Sequence, residues 1–120
     1  MKYYNVMTVE KAYIKEILEN LSTLNLKKVL LFGSYASGHQ TADSDIDLLV
    51  VLDENYQPAT YDEWLEIKMK VRRLLREINN NVGIDLLVYT IPQYEQLLNN
   101  MNSFLKEIHE NGKVIYEKAS

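Results

Sequence analysis

Three aspartates carry the chemistry of this sequence. Asp45 and Asp47 stand two residues apart at the head of the apolar run Leu48-Leu49-Val50-Val51-Leu52, and Asp85 lies near the start of a second run from Val82 to Tyr89. Side chains alternate across a strand, so Asp45 and Asp47 project together while Ile46 and Leu48 turn into apolar packing that fixes their register. Carboxylates crowded at one edge repel one another, and bound divalent cations are the simplest relief. Hard oxygen ligands in a chain without cysteine favour magnesium, or manganese in its place, over zinc. Two such ions about 3.5 to 4 Å apart stabilise both the attacking and the leaving oxygen of an in-line phosphoryl displacement. Asp45 and Asp47 would bridge or flank the pair. Asp85 would complete one metal site and polarise the incoming hydroxyl.

The partner of this acidic group is a phosphate-binding turn. Gly33-Ser34 follows the apolar run Val29-Leu30-Leu31-Phe32. Gly33 has no side chain to hold a phosphate away from backbone amides, and Ser34 can donate its hydroxyl and begin a short helix aimed at the anion. A phosphate turn joined to paired carboxylates points to metal-assisted nucleotide chemistry.

These residues need a scaffold that brings them together. A helix is expected after Thr8, with Glu10 in its first turn and Ile14, Ile17, Leu18 and Leu21 on its core face. A strand over about residues 28–32, the connection 33–43 and a strand over about 45–52 follow. Thr60-Tyr61-Asp62-Glu63 has the spacing of a capping box, opening a long helix with Trp64, Ile67, Val71, Leu74, Leu75 and Ile78 as its buried stripe and Asn79-Asn80-Asn81 as its end. The third strand spans 82–89. Pro92 suits the first turn of a last helix, with Tyr94, Leu97, Leu98, Met101, Leu105 and Ile108 as apolar positions; Gly112 breaks it, and Lys113 to Glu117 reads as a short terminal strand. The long helix between strands two and three permits a parallel crossover, whereas the short connection between strands one and two favours antiparallel pairing. The expected fold is α/β (α+β): a small mixed sheet of three core strands in order 1-2-3, packed with about four helices. Gly33, Ser34, Asp45, Asp47 and Asp85 converge on one edge of it.

A chain of 120 residues makes one domain, 1–120, with no length for a separate acceptor-binding domain, so a large substrate must come from outside. A net charge of −4 disfavours nonspecific nucleic-acid binding, while the charge of a triphosphate can be met locally by cations and amides. No apolar run approaches bilayer length, the start Met1 to Val6 has no signal-peptide core, and the absence of cysteine excludes disulfides. The expectation is a cytoplasmic protein without a membrane partner.

Leu31-Phe32-Gly33-Ser34-Tyr35-Ala36 followed by Ser44-Asp45-Ile46-Asp47-Leu48-Leu49-Val50 resembles the signature of the nucleotidyltransferase superfamily that includes DNA polymerase beta. More narrowly it resembles the minimal nucleotidyltransferases, the MNT proteins paired with HEPN-domain toxins. The resemblance covers nearly the whole chain. It implies phosphate binding by Gly33 and Ser34, binding of two magnesium ions by Asp45, Asp47 and Asp85, and transfer of AMP from ATP to an acceptor hydroxyl. It also implies a HEPN-type partner protein as acceptor and an antitoxin role. One departure stands out: many relatives carry arginine after the alanine of the Gly-Ser turn, where this chain has Ser37. That keeps open a weakly active or inactive antitoxin that covers its partner sterically. Transfer to a small molecule is a further alternative, for which a homo-oligomer would have to supply the acceptor wall.

Other residues admit plainer readings. Asp43, Asp45, Asp47 and Glu54 approach calcium-loop spacing, but Leu48 stands where such a loop needs glycine. His39 belongs to an exposed loop, and His109 near a helix end interacts with the helix dipole. Lys68, Lys70, Arg72, Arg73 and Arg76 make a solvated helix face, with Arg76 the candidate to reach a phosphate.

Overall fold

The computed structural model describes residues 9–41 and 43–119. Thr8 and the Met1 to Val6 start, on which two of the expectations rest, lie outside them. The elements in chain order are α1 (Val9–Asn20), β1 (Leu26–Phe32), α2 (Ser34–Ser37), β2 (Ile46–Leu52), α3 (Tyr61–Leu74), α4 (Arg76–Asn79), β3 (Ile84–Thr90), α5 (Ile91–Asn99), α6 (Ser103–Asn111) and β4 (Lys113–Glu117). The sheet order is β3-β2-β1-β4. The expected 1-2-3 order therefore stands, with the terminal strand added beside β1. Pairing is antiparallel for β1 with β2 and with β4, and parallel for β2 with β3.

Helices cover both faces of the sheet, which is why β2 reads as an unbroken apolar run. On one face Val29, Leu31, Leu48, Val50, Leu86 and Val88 pack with Ile17 of α1, Leu21 just past its end, Val71 of α3 and Leu75 and Ile78 beyond it. On the other, Leu30, Leu49 and Val51 meet Tyr94 of α5 and Leu105 and Ile108 of α6. Each aliphatic side chain buried in this way contributes about 1.5–3 kcal/mol relative to exposure.

The α3 start forms as its sequence dictates: the Thr60 hydroxyl accepts from the Glu63 amide at 3.2 Å, a cap that contributes about 1 kcal/mol. Leu75 leaves helical geometry, so the expected long helix is divided into α3 and α4. Across the edge of β3, the Trp64 indole N–H donates to the Val88 carbonyl at 3.0 Å, and the Ile84 amide donates to Asn79 Oδ1 at 2.9 Å.

The expected single last helix is a pair, α5 and α6. Met101 sits between them at φ 60° and is 79% exposed rather than buried. Asn102 then caps a fresh helix by accepting from the Leu105 amide at 3.0 Å. The physical reason is local: Asn99, Asn100 and Asn102 are poor helix-interior residues, and an asparagine cap offers the backbone a better alternative. Thr90 and Gln93 form a capping box at the start of α5, whose first turn holds Pro92 as expected.

Candidate functional site

Two glycines and two aspartates interlock at the head of the sheet. Gly33 follows β1 at φ 65°, a conformation that L side chains rarely adopt. A Cβ there would lie 3.1 Å from the Asp47 Cγ, with Oδ2 nearer still. At Gly83, where the backbone would accept other residues, a Cβ would lie 2.8 Å from the Asp45 Cγ, with Oδ1 nearer still. Each carboxylate thus occupies space that a glycine leaves empty. Asp45 is further tied to this corner because the next amide, Ile46 N–H, donates to the Gly83 carbonyl at 2.8 Å.

Strand register does the rest. Asp47 is the partner of Phe32 across the β1–β2 pair and of Asp85 across the β2–β3 pair. Leu49 and Val51 mark the α5–α6 face for β2, and Leu87 and Tyr89 mark it for β3, so alternation sends Asp47 and Asp85 to that same face. Asp45 and Asp85 are exposed and Asp47 is half-buried. Burial, then a hydrogen bond to Asp85, then the charges of Asp85 and Asp45 push the Asp47 carboxyl up from 3.8 to about 6. Such a group is short of positive charge.

Among the described residues, no three acidic or imidazole side chains are gathered into a ready-made metal cage. The donor set nevertheless fits a hard divalent cation. It consists entirely of carboxylate oxygens, and a cation would offset the burial and the neighbouring negative charge that raise the Asp47 carboxyl.

Gly33 and Ser34, the expected phosphate turn, form the tight connection between β1 and α2. The Ala36 and Ser37 amides both donate to the Gly33 carbonyl at 3.2 Å, closing the turn, and α2 starts at Ser34. Ser37 donates its hydroxyl to the Ser34 carbonyl at 3.2 Å, and His39 Nδ1 lies 3.1 Å from the same hydroxyl. His109, in the last turn of α6, meets the Tyr94 hydroxyl at 2.8 Å through Nδ1. Both histidines are exposed.

Asp47 stands between two lobes of open space. One, of about 430 Å³, has Gly33, Ala36 and Ser37 on one wall and Phe104, Glu107 and Asn111 on the other. The second, of about 530 Å³, holds Asp85 with Lys68 and Arg72 of α3. Both are bordered by Phe32 and Phe104, whose rings meet edge to face at 5.9 Å between centroids. Arg76, the expected phosphate contact, is exposed and borders neither lobe. The basic residues that do reach the site are one helical turn apart, and that spacing was the signal for them: Lys68 and Arg72 share a face of α3. Phe104 and Glu107 carried no such signal, because they fall between the apolar positions of the last helix and only its placement against the sheet brings them to the site.

The sequence profile described as "Polymerase beta, Nucleotidyltransferase" matches residues 12–120. The chain belongs to this nucleotidyltransferase family. The nucleotidyltransferase is 34% identical over 115 residues to a Methanocaldococcus jannaschii chain provisionally named a protein adenylyltransferase, covering 92% of this chain and 100% of that one. A second chain of that organism, with the same provisional name, is 42% identical over 67 residues, 52% of this chain and 66% of its own length. Among solved structures, a toxin-antitoxin crystallised with AMP-PNP aligns at TM-score 0.57 and 21% identity, over 88% of this nucleotidyltransferase and 73% of that chain. That likeness is one of fold. Among the described residues, no helix is long and apolar enough to cross a membrane.

Proposed function

We propose that this nucleotidyltransferase moves AMP from ATP to a hydroxyl group of a partner protein, with Asp45, Asp47 and Asp85 as its catalytic and metal-binding carboxylates. The observation that carries the reading is the place of Asp47 and Asp85: side by side in register, where a lobe containing the phosphate turn meets a lobe containing Lys68 and Arg72. The names of the relatives support an adenylyl donor and a protein acceptor.

Gly33 brings backbone close to the donor phosphates while leaving room for Asp47. Asp45, Asp47 and Asp85 would hold two magnesium ions, which supply charge neutralisation at the reacting phosphate. Asp85 faces the second lobe, where it takes the proton of the acceptor hydroxyl. The acceptor oxygen forms a bond to the α-phosphorus, the bond to the bridging oxygen breaks, and pyrophosphate leaves with that electron pair. Lys68 and Arg72 line the acceptor side, where positive charge can orient the incoming partner.

A HEPN-type toxin is the acceptor this reading favours, and modification of it would make the chain an antitoxin. The toxin-antitoxin fold neighbour is consistent with that pairing. Ser37, which lines the phosphate lobe where many relatives carry arginine, favours one rival: an antitoxin that neutralises its partner by covering it. The His39 ring held against Ser37 offers a substitute basic group at that corner.

The test is to incubate the chain and the product of the adjacent reading frame with ATP and magnesium, and to measure the intact mass of the partner. Added AMP that disappears in Asp45→Ala/Asp47→Ala protein supports transfer. An unmodified partner, neutralised equally by the double variant, rejects transfer and supports the steric reading.

A further inference from the structure

We propose that α6 is the nucleoside wall of the site, with the donor nucleotide lying along the helix: base against Phe104, ribose at Glu107, phosphates towards Asn111 and the Gly33 turn. This rests on the reading of the cleft as a nucleoside triphosphate site, and assigns to it residues outside the aspartate and Gly-Ser motifs.

Phe104 is the first observation. It is 59% exposed and borders both lobes beside Asp47. Phe32 holds only its edge-to-face position, at 86° between planes, so a flat face of Phe104 remains for stacking beside Asp47. Its neighbours Leu105 and Ile108 are buried on the β1–β2 face, so the helix that carries the ring is fixed in the core.

Glu107 is the second. Its carboxylate borders the same lobe as Gly33 and Ser37, and among the described residues no cation pairs with it. A carboxylate is the wrong charge for a triphosphate, whereas it accepts well from the two hydroxyls of a ribose. Spacing agrees with that division. Residues three apart on a helix stand about 5–6 Å from each other, which is close to the separation of a base from its sugar. Asn111, a further turn along, brings an amide that can donate to a phosphate, and with Gly112 it lines the lobe that holds Gly33. The order aromatic ring, carboxylate, amide along α6 therefore matches base, ribose, phosphate.

Binding can be measured without transfer, by displacement of a fluorescent ATP analogue from the intact chain with magnesium present. The competitors are ATP, 2′-deoxy-ATP, 3′-deoxy-ATP and inorganic tripolyphosphate. Phe104→Ala should weaken ATP on the order of tenfold or more and leave tripolyphosphate unchanged, and Phe104→Trp should keep ATP binding. Glu107→Gln should reduce the preference for ATP over the deoxy forms. An equal loss for ATP and tripolyphosphate in Phe104→Ala, or no loss for either, overturns the assignment of Phe104. An unchanged preference for ribose in Glu107→Gln overturns that of Glu107. If the parent chain binds no ATP, the nucleotide reading of the whole cleft fails with it, whereas ATP binding that ignores α6 defeats this inference alone.

Discussion

Gly83→Ala separates the chemistry of the site from the stability of the fold. The backbone at Gly83 is open to alanine, so no conformational penalty arises, and the stiffer unfolded chain stabilises the variant by about 0.4–1 kcal/mol. The new methyl meets the Asp45 Cγ at 2.8 Å, against the 3.4 Å at which ordinary contact begins, and Oδ1 is nearer still. The carboxyl carbon must therefore withdraw by about 0.6 Å, and its near oxygen by roughly twice that. Asp45 is exposed, so its carboxylate can swing into water at small cost. The expected change in stability is within about 1 kcal/mol, a few degrees in Tm for a domain of this size. Catalysis is less forgiving, since a misplacement of about 1 Å can lower the rate on the order of 100-fold. Thermal unfolding and AMP incorporation into the partner, measured on the same preparation, read both quantities. Gly83→Ala protein that transfers AMP within about twofold of the parent would show that Asp45 need not stand where it does. A drop of many degrees in Tm would show that its carboxylate is held rigidly, against the reasoning from exposure.

Three further outcomes follow from the same geometry. The Asp47 carboxyl is raised from 3.8 to about 6 by burial, Asp85 and Asp45, so its contribution to stability is complete below about pH 4 and is lost as the pH rises through 6. Magnesium should therefore raise Tm at neutral pH and do so much less at about pH 5, with Asp47→Asn abolishing the difference; equal shifts at both pH values would refute it. Met101→Gly relieves a left-handed backbone at an exposed position and should stabilise the chain by about 0.5–1 kcal/mol in denaturant unfolding, whereas a loss would place the Met101 side chain in unsuspected packing. Arg72→Glu should weaken acceptor use, seen as a KM for the partner raised on the order of tenfold, while ATP displacement in the same binding assay stays within about twofold.

The parts of this molecule that sequence made legible are those whose information is local. Apolar runs with flanking turn residues marked β1, β2 and β3, and the spacing of Thr60 and Glu63 marked a helix start. Gly33, Asp45, Asp47 and Asp85 were readable because strand alternation and connection length suffice to bring them together. The division of the last helix was missed because the apolar positions on either side of Met101 keep helical spacing, and only the asparagines beside it signalled the break. Phe104 and Glu107 enter the site from a helix packed beyond the strands, so their roles depend on tertiary placement that no local pattern encodes, whereas the one-turn spacing of Lys68 and Arg72 marked only the helix face they share.

The two side chains that reach across the outer edge of β3 bear on the solubility of the protein. Because the Ile46 amide bonds to Gly83, the odd-numbered residues of β3 turn their backbone towards β2, and Ile84, Leu86 and Val88 turn theirs outward. An apolar strand with such an edge is a template for strands of other chains, the first step of aggregation. Asn79 occupies the Ile84 amide and Trp64 the Val88 carbonyl, which leaves Leu86 as the centre of too short a stretch for a foreign strand to settle in register. The groove beside Asp85 can thus admit the side chain of a visiting protein while denying its backbone a ladder.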